Sequence, residues 1–322
     1  MRTVQWGFIG CGNVTEVKSG PAYQKVDGFK VFAVMRRDQL AAQDYAKRHH
    51  ITNVFSSAAE LINHSQVDAV YIATPPDSHK ELALQVAQVG KPCCIEKPLA
   101  PDYAQSLQIV EAFNQAQTPL WVAYYRRSLP RFNAILQKLN AGVIGQVRHY
   151  QWCLNRSANA VDLAQHYQWR TDKKIALGGY FDDLACHGLD LFAYFFGDFE
   201  RVYGVAHQQQ QLYSAYDSVA ASWKHSQGIT ATANWNFGGF TRRDRVTIFG
   251  SEGEIEFSIF DEQPIVINTA EGEQFYEIEN PLNIQLYHVQ KIRDFLFDQQ
   301  PHPSTGKSAL HTSWVMEQIL HS

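Results

Sequence analysis

Along the first third of the chain, short apolar runs alternate with longer amphipathic stretches, and that rhythm restricts the fold more than any other feature. The runs are Val4–Ile9, Phe29–Met35, Val67–Ala73, Pro92–Glu96 and Leu120–Tyr125. Between them, Leu82, Val86 and Val89 fall at helical spacing, as do Leu107, Val110 and Phe113. Strand and helix repeated in this way call for parallel strands joined by right-handed crossover helices. The runs are apolar at nearly every position, as expected of strands covered by helices on both faces. The spacing therefore predicts an α/β unit, a doubly wound parallel sheet, over residues 1–122.

The rhythm changes near residue 145. Gly145–Asn155 reads as a strand, and a helix is predicted over Tyr180–Phe196. Successive strands follow at Val202–Gln208, Ser218–His225, Ile229–Trp235, Arg245–Phe249, Glu254–Phe257 and Ile265–Ile267. Helical patterns return at Asn283–Phe297 and Ser308–Leu320. Residues 123–322 are accordingly expected to form a second, α+β domain with an open, mainly antiparallel sheet. With 322 residues, two domains is the ordinary expectation.

Composition narrows the function. A formal net charge of −4 offers no basic face for a phosphate backbone, which argues against nucleic-acid binding. No window approaches the ~20 apolar residues needed to cross a bilayer, so no membrane partner is expected. The N-terminus lacks the apolar stretch and small-residue cleavage site of a signal peptide. The 5 cysteines are odd in number and show no CxxC or zinc spacing, so they read as free thiols in a reducing cytoplasm, with no metal site.

The motifs that carry chemistry sit at strand ends. Gly10-Cys11-Gly12-Asn13-Val14-Thr15 follows the first strand directly. Gly10 and Gly12 allow a tight turn and close approach to a pyrophosphate, with Asn13 and Val14 opening a helix whose first amides face the phosphates. Thr15 stands where the third glycine of the dinucleotide fingerprint would be. The second strand ends in Arg36-Arg37-Asp38, where an acidic residue would hold the NAD ribose and arginine would accommodate the 2′-phosphate of NADP. The two guanidinium groups favour NADP over NAD. Thr74-Pro75-Pro76…His79 lies at the carboxyl end of a strand, where open α/β sheets bind ligands. Glu96-Lys97-Pro98 places a lysine, held by a following proline, at the next strand end. Asp183 and His187 are four apart on a helix and share one face. A histidine with an ordinary pKa of about 6.5 suits proton transfer from a hydroxyl.

Taken in order, Gly10-Cys11-Gly12, Thr74-Pro75-Pro76…His79, Glu96-Lys97-Pro98 and Gly179…Asp183…His187 resemble the glucose–fructose oxidoreductase/inositol dehydrogenase (Gfo/Idh/MocA) family. Gly250-Ser251-Glu252-Gly253 resembles that family's turn between C-terminal strands. The resemblance implies an N-terminal Rossmann domain, a nicotinamide cofactor, and a carbinol or carbonyl substrate on a sugar, cyclitol or related polyol. It implies that Lys97 hydrogen-bonds the reacting oxygen, that His187 takes or gives the proton, and that Asp183 positions substrate or histidine. Gly10, Gly12, Asn13, Val14, Arg36, Arg37, Thr74, Pro75, His79, Glu96, Lys97, Trp169 and Arg170 become the expected cofactor site. It also implies a homodimer or homotetramer built through the C-terminal sheet. Tyr124-Tyr125-Arg126-Arg127 departs from the family's usual Asn-Arg-Arg form.

Ser304-Thr305-Gly306-Lys307-Ser308 ends like a P-loop, but its first glycine would fall at Pro301 and no strand precedes it, so ATP binding is rejected. Two other functions share the fold: a glycosidase or lyase using NAD for transient oxidation, and a nucleotide-sensing regulator without catalysis. The regulator would have no use for both Lys97 and the Asp183/His187 pair.

Overall fold

The computed structural model describes residues 3–321. Its strands are β1 (Val4–Ile9), β2 (Phe29–Met35), β3 (Asn53–Phe55), β4 (Ala69–Ile72), β5 (Cys93–Ile95) and β6 (Leu120–Val122), then β7 (Val147–Asn155), β8 (Phe199–His207), β9 (Ser218–His225) and β10 (Thr230–Asn236), and finally β11 (Arg243–Gly250), β12 (Gly253–Phe257), β13 (Ile265–Thr269) and β14 (Gly272–Tyr276). The first 6 form one sheet in the order β3-β2-β1-β4-β5-β6, and every pairing in it is parallel. This is the doubly wound nucleotide-binding order, with its switch point between β1 and β4.

The other 8 strands form a sheet ordered β14-β13-β12-β11-β7-β10-β9-β8. It is antiparallel throughout except for the β7–β10 pair. Strand β9 alternates, buried at Val219, Ala221 and Trp223 and exposed at Ala220 and Ser222. One face packs on the long helix Tyr180–Phe196, where Tyr150, Trp152, Phe192, Phe196 and Trp235 make edge, tilted and stacked ring contacts. The α/β Rossmann sheet and the mainly antiparallel second sheet are as the sequence predicts. Two short strands, β3 and β14, are not apparent in it.

The chain divides into two compact units. The first comprises the described residues through Ser128 together with Pro281–Leu310, and the second comprises Leu129–Asn280 with the described residues from His311 onward. The segment 281–310, read from sequence as part of the second domain, thus belongs to the first. Burial explains this: Val289 and Ile292 of the helix Leu286–Asp298 join Trp6, Tyr23, Phe29 and Tyr71 in one apolar cluster. Phe295 adds an edge contact to Trp121 at 5.5 Å. The P-loop look-alike is structural, because the Thr305 and Ser308 hydroxyls accept each other's backbone N–H at the start of the last helix.

Candidate active site

In the first unit, the glycine turn joins the end of β1 to the switch point. Gly10 has φ +88°, and a Cβ there would stand 2.8 Å from both the Ala73 oxygen and Thr74 Cγ2. Only glycine fits. Gly12 is extended, and a Cβ built on it would meet nothing within 4 Å. That open space above the backbone is what a bound pyrophosphate requires, so the residues fit a dinucleotide. The helix expected after the turn is two short ones, Asn13–Val17 and Gly20–Lys25. Pro21 lacks an N–H, and a side chain at position 20 would collide with the Thr15 oxygen at 2.2 Å, so the chain breaks there. Thr15 does not open the turn as a glycine would; it ties it, donating its hydroxyl to the Gly12 oxygen at 2.8 Å. Asn13 is exposed and Val14 half-buried at the first turn.

Three charged residues end β2. Arg36 is folded back, donating from Nη1 to the Cys11 oxygen at 3.0 Å, which sets its guanidinium beside the glycine turn. Arg37 is exposed. Asp38 caps the helix Gln39–Arg48, accepting the Ala41 N–H at 3.0 Å. Its carboxylate is therefore already engaged by backbone.

The ends of β4 and β5 are braced from within. His79 is fully buried, with Nε2 2.8 Å from the Thr74 oxygen and Nδ1 3.1 Å from those of Pro98 and Leu99. The ring thus joins the Thr74-Pro75 turn to the Lys97-Pro98 turn, and burial lowers its pKa. Glu96 is 6% exposed and accepts from the Tyr71 hydroxyl at 2.6 Å and the Gln285 amide at 2.7 Å. His79 and Glu96, expected among the cofactor ligands, also fix the loops: both His79 ring nitrogens and Glu96 Oε1 are engaged inside the unit. Thr74 and Pro75 are half-buried, and Ser78 donates to Thr74 Oγ1 at 2.7 Å. Across Cys93–Ala100, Lys97 alone is half-exposed while every neighbour is buried.

The second unit carries the other candidates. The helix Tyr180–Phe196 starts at the Gly178-Gly179 turn and presents Asp183 and His187 one turn apart. Arg170 Nε donates to Asp183 at 2.9 Å, and the same guanidinium stacks on the Trp169 ring at 4.2 Å. Trp169, Arg170 and Asp183 are thus one cluster. His187 is 4% exposed and meets the Phe260 ring edge-on at 6.0 Å.

Sequence reasoning passed over Asp182. It accepts the Gly178 N–H at 2.9 Å, and burial, with Asp183 adjacent, pushes its carboxyl up to about 7. The signal was present, since an acidic residue three positions past a Gly-Gly pair can turn back to cap it. Also missed was a cavity of about 230 Å³ in this unit, walled by residues of the 156–162 segment with Tyr180, Phe237 and Arg242. Its lining is assembled from segments far apart in the chain. Among the described residues, no cluster of three His, Cys, Asp or Glu side chains is arranged to hold a metal, and no helix is long and apolar enough to cross a membrane.

A glycine turn at the switch point of such a sheet fits a dinucleotide-dependent oxidoreductase. Residues 4–124 match the oxidoreductase family with an NAD-binding Rossmann fold, and residues 132–256 match the GFO/IDH/MocA C-terminal domain. The chain belongs to the Gfo/Idh/MocA oxidoreductase family, whose members include sugar and polyol dehydrogenases and reductases. It is similar to Oxidoreductase P35 of Formosa agariphila, 34% identical over 98% of this chain and 97% of that protein. It is also similar to a D-apiose dehydrogenase of Paraburkholderia graminis, 27% identical over 78% of this chain and 66% of that protein. Among solved structures, an oxidoreductase of Thermotoga maritima superposes with TM-score 0.88 at 22% identity, covering 100% of this chain and 97% of that one. Levoglucosan dehydrogenase in complex with NADH superposes with TM-score 0.87 at 19% identity over 99% and 96% of the two chains. At such identities the structures establish the fold.

Proposed function

We propose that this oxidoreductase moves a hydride between NADP(H) and a carbinol or carbonyl of a sugar, cyclitol or related polyol, with Lys97 and His187 as its catalytic residues. The observation that carries the reading is Lys97, the one half-exposed side chain on a rim whose neighbours are buried and whose backbone is braced by His79. Such bracing holds an ammonium where negative charge develops on the reacting oxygen. His187 takes the hydroxyl proton during oxidation and returns it during reduction. Asp183, with one side held by Arg170, orients the substrate or the ring. When bound, the nicotinamide supplies or accepts the hydride. The polyol class is supported by relatives named D-apiose dehydrogenase and inositol 2-dehydrogenase.

NADP as the preferred cofactor, with NAD as the weaker one, is supported by two contacts. Arg36 is anchored beside the glycine turn, and Asp38 is committed to a helix cap. Gly10, Gly12, Asn13, Val14, Arg36, Arg37, Thr74, Pro75 and Lys97 make up the cofactor surface of the first unit in this reading, and Trp169 and Arg170 that of the second. A homo-oligomer formed through the outer face of the second sheet is supported by the exposed apolar side chains Tyr203 and Val205, which stand there opposite Ser222 and Ala220. A cytoplasmic location is supported by five cysteines that are all free.

The test is a panel of sugars, cyclitols and short carbonyls with NAD(H) and NADP(H), read at the nicotinamide absorbance. Net turnover on a polyol is expected. Product formation with no net change in cofactor would replace this reading with transient oxidation by a glycosidase or lyase.

A further inference from the structure

The cavity in the second unit has a wall whose polar groups are unevenly occupied. Asp162 accepts from the Tyr180 hydroxyl at 2.9 and 3.0 Å and from the Gln168 amide at 3.2 Å. Asn159 donates to the same hydroxyl at 2.8 Å and accepts two backbone N–H groups. Arg242 is paired with Asp261. Arg156 differs from all of these. Its Nε is buried without a hydrogen-bond partner, and its guanidinium lies against the Phe260 ring, 5.6 Å from the centroid. Burial and the nearby Arg242 both lower its pKa, more than Asp244, Asp261 and Asp183 raise it. A buried guanidinium donor left unpaired carries a desolvation cost that an anion would remove.

The surroundings limit what that anion can be. Phe260 is flanked by Arg156 on one contact and His187 on the other, so the arginine lies one aromatic ring from the proposed proton-transfer residue. Positive charge at the wall is partly offset, by Asp261 on Arg242 and by Asp162 in the lining. One guanidinium whose buried Nε has no hydrogen-bond partner suits a single negative charge, and its planar fork matches a carboxylate. A cavity of about 230 Å³ is small and suits a ligand no larger than a monosaccharide.

We infer that this cavity binds the carboxylate of an acidic polyol, a sugar acid, with Arg156 as the principal ligand and Arg242 as a second positive charge. The inference rests on the oxidoreductase reading above and names its substrate class.

The experiment measures binding and turnover separately. Glucuronate, glucose, glucose 6-phosphate and inorganic phosphate are titrated into the full chain by calorimetry and by thermal shift, since a ligand of the native state raises the melting temperature. Glucuronate is expected to bind at least ~10-fold more tightly than glucose, and Arg156→Met to weaken glucuronate by a further ~10-fold or more with glucose unchanged. Arg156→Lys keeps the charge but not the fork and should retain part of the affinity, which covers the case in which Arg156→Met fails to fold. Equal binding of glucuronate and glucose, tighter binding of either phosphate, or glucuronate affinity untouched in the Arg156 variants would overturn the inference. The same ligands are then assayed at the nicotinamide absorbance. Arg156-dependent glucuronate binding without turnover of any polyol would keep the carboxylate site and remove the oxidoreductase reading. Turnover of neutral polyols without glucuronate binding would do the reverse.

Discussion

The Nε of Arg170 lies 2.9 Å from the Asp183 carboxylate, joining a short loop helix to the first turn of the helix that carries His187. The pair is part-exposed on the arginine side, so its worth lies in aim more than in stability. If His187 is the proton-transfer residue, His187→Ala should lower kcat by at least ~10² and remove a limb of the pH–rate profile near neutrality. Asp183→Asn should cost less in rate and leave that limb in place. Retention of both rate and profile in His187→Ala would make His187 structural.

Lys97→Ala should reduce kcat/KM by at least ~10² while NADP(H) affinity, followed by quenching of tryptophan fluorescence, stays nearly intact. The ammonium is asked to act on charge that develops during reaction, not on the bound cofactor. Near-normal turnover would take Lys97 out of the mechanism.

The two glycines of the turn should separate fold from cofactor. Gly12→Ala adds a methyl to empty space, so the melting temperature is expected to hold while dinucleotide affinity falls. Gly10→Ala forces an L residue to φ +88° and against Ala73, costing ~1–2 kcal/mol from backbone handedness alone before the clash is counted. That variant should lose stability as well as affinity. Equal cofactor affinity in wild type and Gly12→Ala would move the pyrophosphate elsewhere.

Arg36→Ala should weaken NADP by roughly 10- to 100-fold and NAD little, since a charge-assisted hydrogen bond is worth ~1.5–3 kcal/mol. Arg37→Ala should act in the same direction, and added salt should erode the wild-type preference. Tighter NAD binding that neither substitution alters would assign the ribose to the backbone or to Asp38.

Acid should destabilise the fold through buried histidines. Burial pushes His225 down to about 4, and its ring completes a relay: Trp223 Nε1 donates to Tyr150 at 2.7 Å, the Tyr150 hydroxyl is 2.7 Å from Nε2, and Nδ1 is 2.8 Å from the Gly197 oxygen. His302 is likewise pushed down to about 4 by burial. The unfolded chain takes up these protons near pH 6.5 and the folded chain only near 4, so the stability is whole above about 6.5 and is lost as pH falls toward 4. At pH 5 the loss is roughly 2 kcal/mol per ring. Melting temperatures taken between pH 7 and 5 should fall, and His225→Gln should flatten that slope. A flat wild-type curve would show that the buried rings do not titrate on unfolding.

Much of the site was legible because its parts are local. A glycine turn at a strand end, a Lys-Pro at the next, and Asp183 and His187 one helical turn apart depend on spacing that neighbours in sequence dictate. The helix Tyr180–Phe196 and the strand Phe29–Met35 are legible to the residue for the same reason: periodicity and flanking glycines define them. Strands β3 and β14 were not, because three or five residues of mixed polarity carry no period of their own and are held by an adjacent strand. The bracing that His79 and Glu96 supply was not legible, because a motif shows which residues stand near a site, not which way each side chain points.

By itself, the sequence determined a parallel nucleotide-binding sheet followed by a mainly antiparallel one, the glycine turn, and the placing of Lys97 at a strand end and of Asp183 and His187 on one helix face. Tertiary structure alone decided the rest. It brought Val289 and Ile292 back to the core of the first unit, set Gln285 against Glu96, and gathered Arg156, Tyr180 and Arg242 around one cavity. Local spacing fixes backbone hydrogen bonds and the faces of helices and strands. Contacts between segments more than a hundred residues apart are chosen by which apolar surfaces can be buried together and which polar atoms can be satisfied there, and no local pattern records that choice.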